Sequence, residues 1–142
     1  MASRAEAQRH ILAVFSSPEP DEAHAWKAVC AAIEMQNRME ALNARRREAG
    51  LVVCEMGIGG HTGEVLHGFI GAEERLEYTV IGDTVNKTSR YCSGAGEGEI
   101  LVGPETNAAI AGYIPTSPRS VSTKQEGDLP AFSVDWRNVV WQ

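Results

Sequence analysis

The sequence predicts an α+β domain, a mixed sheet with helices packed on one side of it. Three observations carry that expectation. One long amphipathic helix pattern precedes a run of glycine-punctuated, β-rich pieces, and strands and helices then interleave without the regular βα alternation of a doubly wound sheet. With 142 residues, 43% of them hydrophobic and 23% charged, the chain suits a single domain, residues 1–142, with a real core.

The first nine residues, MASRAEAQR, carry no clear pattern. Residues 10–15, HILAVF, form an apolar run that ends in the breaker-rich SSPEP, which predicts a buried strand leaving into a loop. Asp21 can cap a helix in which Trp26, Val29, Cys30 and Ile33 recur at helical spacing and Met39 and Leu42 extend the stripe. Arg45, Arg46 and Arg47 suit its negative end, and Gly50 its C-terminal cap.

LVVCEMGIGG, EVLHGFIG and LEYTVIG read as three strands, the last two joined by a polar AEER turn. From Gly82 to about Gly94 the pattern turns helical and sets Asn86 and Arg90 one turn apart on one face. EILV predicts a short strand, Pro104 opens a small helix running to Ile110, and FSVDW alternates Phe132, Val134 and Trp136 as a final strand.

A formal charge of -6 gives no basic field for a phosphate backbone, so nucleic acid is not an expected partner. No apolar run approaches the ~18 residues of a membrane span, and no charged-then-apolar leader opens the chain, so the expectation is a soluble, cytoplasmic domain with no membrane partner. Cys30, Cys54 and Cys92 stand far apart and in odd number, as reduced, packed thiols do.

GIGGHTG, residues 57–63, lacks the Lys-Ser/Thr ending of a P-loop and the spacing of a dinucleotide site. Its glycines suit a bulge or a close backbone approach. His61 and His67 have no third ligand at useful spacing and read as satisfied or exposed histidines rather than metal ligands. The sharpest signal is EYTVIGDTVNKTSR, residues 77–90, which brings an amide, a guanidinium and a hydroxyl to a strand end and a helix start. Arg90 can stabilise charge on phosphate oxygens and Asn86 can hydrogen-bond a sugar, although the same spacing also occurs on ordinary solvated helices.

From that block outward the chain resembles the class III adenylate/guanylate cyclase catalytic domain. The resemblance rests on HILAVFSSPEPDEAHAWKAVCAAIEMQ, on GIGGHTGEVLHGFIGAEERLEYTVIGDTVNKTSR and on GEILVGPET. It implies the ferredoxin-like class III nucleotide cyclase fold, here lacking its first strand and helix. It also implies a dimer that binds nucleoside triphosphate between subunits, two divalent ions, and attack of the ribose 3′ oxygen on the α-phosphate. By motif, Asn86 corresponds to the ribose-positioning asparagine and Arg90 to the transition-state arginine; Thr79 takes the base-reading position and Lys124 that of a lysine on the terminal phosphates.

Two departures bear on activity. The family's metal aspartates come from an N-terminal strand and from a Gly-Asp pair just before the strand that corresponds to HILAVF. The first segment has no counterpart, and Gln8 and Arg9 stand where Gly-Asp is expected, with Glu6 the only acid among the first eighteen residues. Ala5 stands near the position of a purine-contacting lysine. The expectation is therefore no metal site in this chain alone, with Mg or Mn bound only alongside a complementing partner. Three functions remain: a catalytically silent module that dimerises or binds ATP or GTP, a half-enzyme lending Asn86 and Arg90 to a heterodimeric adenylate cyclase, and a folded fragment without a selected role. An uncovered apolar edge further predicts a homodimer or heterodimer with a cyclase domain, with exchanged strands as one form.

Overall fold

The computed structural model describes residues 10–16, 19–124 and 127–139, the side chains of residues 76–78 excepted. Glu6, Gln8 and Arg9 lie outside the described residues. The elements are α1 (His24–Glu48), β1 (Ile58–Gly60), β2 (Leu66–Ala72), β3 (Arg75–Ile81), α2 (Asp83–Gly94), β4 (Ile100–Val102), α3 (Pro104–Ile110), β5 (Thr116–Thr123) and β6 (Gly127–Val134), then a 3-10 turn, Trp136–Asn138. β1, β4, β6 and β5 form one sheet in that order, while β2 and β3 form a separate hairpin.

The α+β class holds, but the helices do not share one side. Along β4 the side chains alternate between faces. Ile100 and Val102 meet Val29 and Ile33 of α1 and Ile110 of α3, together with Val134 and Trp136. Leu101 points the other way, into a cluster with Tyr91 of α2, Val121 and Ala131. A three-residue strand buried on both faces needs a cover on each, and α2 supplies the second.

The expected strand at residues 10–15 is absent: residues 10–14 make no ladder, and Ile11 is 91% exposed. A strand exists through its partner, and among the described residues none lies beside this segment. LVVCEMGIGG is likewise strand only at its end, where β1 pairs in parallel with β4.

α1 starts later than expected. Asp21 precedes the helix, whose N-cap is Ala23; the Asp21 carboxylate accepts the Ala23 N–H at 2.9 Å and the Lys27 ammonium. Those two contacts, Lys27 first, hold its carboxyl below the usual range. Gly50 follows the helix in the left-handed region at φ 71°, as a terminating glycine should. The inner stripe also differs: Leu42 is exposed, whereas Gln36 and Asn43 are buried. Their amides bond the backbone of the segment after the helix, Gln36 Nε2 donating to Met56 O at 2.8 Å. An apolar stripe would leave those carbonyls unsatisfied.

The hairpin forms as read, with Ala72 opposite Arg75 across its tight turn. β4 and α3 also lie where the sequence places them. Trp136 falls beyond the final strand, in the 3-10 turn, where its indole N–H donates to Gly98 O at 2.8 Å. β5, TSPRSVST, was not legible: it is polar and carries Pro118, which the edge position it occupies tolerates.

Candidate nucleotide site

α2 is aimed by its first residue. Gly82 sits at φ 140°, a backbone that side-chain-bearing residues rarely adopt, and its carbonyl accepts both Val85 N–H and Asn86 N–H. Thr84 Oγ1 donates to Glu64 O at 2.7 Å, tying the helix start to the segment before the hairpin. At the other end, Gly59 of β1 lies under α2: a Cβ there would fall 2.7 Å from Cys92 Cα. The close-approach reading of the GIGGHTG glycines therefore holds at Gly59.

This fixed helix turns Arg90 into a cleft of about 420 Å³ between α2 and the end of β5. Ser89, Arg90, Ser93 and Gly94 line one wall; Val121, Ser122, Thr123 and Lys124 line the other. Arg90 and Lys124, thirty-four positions apart, thus share one cleft. Asn86 stands one turn before Arg90 on the same helix and is exposed, outside the lining. Thr79 sits half-buried on β3 opposite Gly68, also outside the lining.

The hydroxyls of the cleft were missed by sequence reasoning. Ser89 and Ser93 could have been found from their spacing around Arg90 on the helix. Ser122 and Thr123 could not, because β5 itself was not read. They shape the turn that presents Lys124: Ser122 Oγ donates to Asp128 Oδ1 at 3.1 Å and Thr123 Oγ1 to Gly127 O at 2.6 Å. Lys87 instead pairs with Asp83 at 3.3 Å.

His61 departs from the reading of a satisfied or exposed histidine: its side chain is buried, and among the described residues its Nδ1 has no hydrogen-bond partner. Its side chain is 8% exposed, its ring lies 5.5 Å from that of Tyr91, and Nδ1 stands 3.7 Å from Glu105 Oε2. Burial holds its pKa below the ordinary value, with Glu105 acting against that shift. His67 lies exposed on β2.

Among the described residues no three His, Cys, Asp or Glu side chains come together; Gln8 and Arg9, at the place where the resemblance expects a metal-holding pair, lie outside the described residues. What the cleft offers is positive charge and hydrogen-bond donors, which suit phosphate oxygens.

The sequence profile of the adenylate and guanylate cyclase catalytic domain matches residues 10–131. The chain belongs to that family. It is 41% identical over 80 residues to adenylate cyclase 1 of Rhizobium meliloti and 39% identical over 74 residues to an adenylate cyclase of Anabaena cylindrica. Those alignments take in 56% and 49% of this chain but only 12% and 15% of the relatives.

Among solved structures, the guanylyl cyclase Cya2 superposes with a TM-score of 0.75 at 33% identity, and the adenylyl cyclase CyaB of P. aeruginosa with 0.74 at 31%. The guanylate cyclase domain of RhGC from Catenaria anguillulae, solved with GTP, gives 0.73 at 26%. In each case 84% of this chain aligns with 62–64% of the other. The cyclase fold expected from the sequence is therefore shown. No helix among the described residues is long and apolar enough to cross a membrane.

Proposed function

We propose that this domain is a dimerising, nucleoside-triphosphate-binding module of the cyclase family that is catalytically silent by itself. The observation that carries the reading is the shared cleft: Arg90 from α2 and Lys124 from the end of β5 converge on one space edged with hydroxyls. A planar guanidinium can grip two phosphate oxygens at once, and the ammonium adds a second positive charge for the chain's far end. Asn86 would meet the sugar and Thr79 the base, roles that the family resemblance assigns and that the exposed helix face and hairpin leave physically open.

Silence follows from charge chemistry near the amino end. Gln8 and Arg9 occupy the place of a metal-holding Gly-Asp pair, and a cation there repels a divalent ion as well as failing to bind it. Without Lewis-acid help the chain forgoes several kcal/mol of barrier reduction, on the order of thousands-fold in rate.

Thermal shift with ATP and with GTP at millimolar concentration tests binding. The expected result is a raised Tm that Arg90→Ala abolishes. A parallel assay with Mn²⁺ and either nucleotide is expected to give no turnover; turnover that Arg90→Ala removes would overturn the silent reading.

The second reading, half of a heterodimeric adenylate cyclase, draws on the same asymmetry, since Arg90 and Lys124 share a cleft while Gln8 and Arg9 stand where the resemblance expects Gly-Asp. Mixing the chain with an intact relative whose own arginine has been removed separates the two. Restored activity supports the half-enzyme; none supports the silent module.

A further inference from the structure

Tyr91 follows Arg90 on α2 and is buried, 2% exposed, while Arg90 lines the cleft. Its hydroxyl crosses to β6, where Tyr91 Oη donates to Pro130 O at 3.0 Å. Pro130 lies beyond Phe132 and Ser133, the residues of β6 that pair with β4, and stands opposite Ser120 of β5. The bond therefore ties α2 to the β5–β6 pair at a level that β4 does not reach, and satisfies a carbonyl there.

The ring has little room to leave. The His61 ring stands 5.5 Å away, a Cβ on Gly103 would fall 3.2 Å from Tyr91 Cε2, and Leu101, Val121 and Ala131 complete the cluster around it. Three residues on, α2 meets β5 directly, since a Cβ on Gly94 would fall 2.8 Å from Val121 Cγ1.

These contacts link the two walls of the cleft. Arg90 adjoins Tyr91 in sequence, and Lys124 comes three residues after Val121 at the end of β5. A hydroxyl that ties α2 to the β5–β6 pair hence sets how far the guanidinium lies from the ammonium.

We propose that Tyr91 is a positioning residue whose hydroxyl fixes the separation of Arg90 and Lys124, and with it the preference of the cleft for a chain of phosphates over a single one. This deepens the phosphate-binding reading of the cleft and rests on it. A chain of phosphates touches both walls at once and so feels their spacing, whereas orthophosphate needs only one wall.

Tyr91→Phe keeps the ring in its cluster and removes the bond alone. The full chain is titrated with inorganic tripolyphosphate and with orthophosphate, followed by amide NMR shifts. Tripolyphosphate is expected to bind about three- to tenfold more weakly in the variant, the worth of one hydrogen bond, with orthophosphate unaffected. Leu101→Val thins the same cluster and leaves the hydroxyl in place, so it should lower stability without moving the ratio of the two constants. Gly94→Ala wedges α2 away from Val121 by another route and should shift that ratio as Tyr91→Phe does.

A ratio unchanged in Tyr91→Phe, or shifted equally by Leu101→Val, overturns the role of Tyr91 and leaves the phosphate cleft standing. Gly94→Ala carries the test where Tyr91→Phe does not fold, and an unchanged ratio there overturns the role as well. A wild-type chain that binds no tripolyphosphate overturns both the role and the cleft.

Discussion

Asn43, on the buried side of α1, brackets the backbone of Cys54: Nδ2 donates to Cys54 O at 2.6 Å and Oδ1 accepts the Cys54 N–H at 3.1 Å. A side-chain amide here does the work of a neighbouring strand, completing the edge that β4 is too short to reach. Asn43→Ala removes both bonds and strands two backbone groups. The expected cost is about 1 to 3 kcal/mol, a Tm lower by roughly 4 to 12 °C. Asn43→Asp keeps the acceptor but sets a carboxylate against Cys54 O, and should be no better. Thermal melts of the three proteins at neutral pH check this ranking; a Tm unchanged in both variants would show that the segment is held by other means.

This pairing also shows where the sequence was legible. Helical periodicity located α1, since Val29 and Ile33 are apolar at core spacing, but it extended the stripe to Met39 and Leu42, of which Met39 is only half-buried and Leu42 is exposed. Periodicity counts apolar residues, and the core here needs amides at positions 36 and 43 to satisfy backbone. The cleft was half legible for a related reason. Arg90 stands out because a helix start and a strand end frame it, whereas its companions Ser122 and Thr123 sit on β5, whose polar composition and Pro118 hide a strand from any pattern of hydrophobicity. HILAVF erred in the opposite direction: strand composition was read correctly and the partner that makes a strand could not be.

Gly59 should resist even a single methyl. β1 and α2 meet there backbone to backbone, and an added Cβ would overlap Cys92, an atom that cannot rotate away. Gly59→Ala must push α2 off β1, with an expected loss of about 1 to 3 kcal/mol. Because α2 carries Arg90, the same variant should weaken nucleotide binding. Urea unfolding alongside ATP titration checks both effects. A Gly59→Ala protein as stable as the wild type would mean that the two backbones are not in contact.

His61 ties stability to pH in a definite direction. Glu105 and Asp83 favour its charged form and Lys87 opposes it, while the Tyr91 ring packs beside it. Burial, the largest influence and aided by Lys87, outweighs the two carboxylates and holds the folded pKa below the ordinary value of 6.5. As pH falls below that value the unfolded chain takes up the proton first, so stability is full above it and declines down to the folded pKa. His61→Leu, close in size and without a titrating group, should flatten the fall in Tm between neutral pH and about pH 5. An unaltered pH profile in the variant would place the transition on another group.

Arg90 and Lys124 should not contribute equally to a bound triphosphate. Arg90 rises from a helix pinned by Gly82 and Gly59 and stands half-buried in the cleft, so its guanidinium is presented with little freedom left to lose. Lys124 is exposed at the end of β5, where solvent screens its charge. Arg90→Ala should therefore raise the dissociation constant of a non-hydrolysable triphosphate by about tenfold to a hundredfold. Arg90→Lys keeps the charge and loses the fork, so it should fall between that variant and the wild type. Lys124→Ala should cost only a few fold, about 1 kcal/mol or less. Calorimetric titration of the three variants, repeated with pyrophosphate in place of nucleotide, checks the order. If Lys124→Ala proves the most damaging, the phosphates lie against the β5–β6 turn and not along α2.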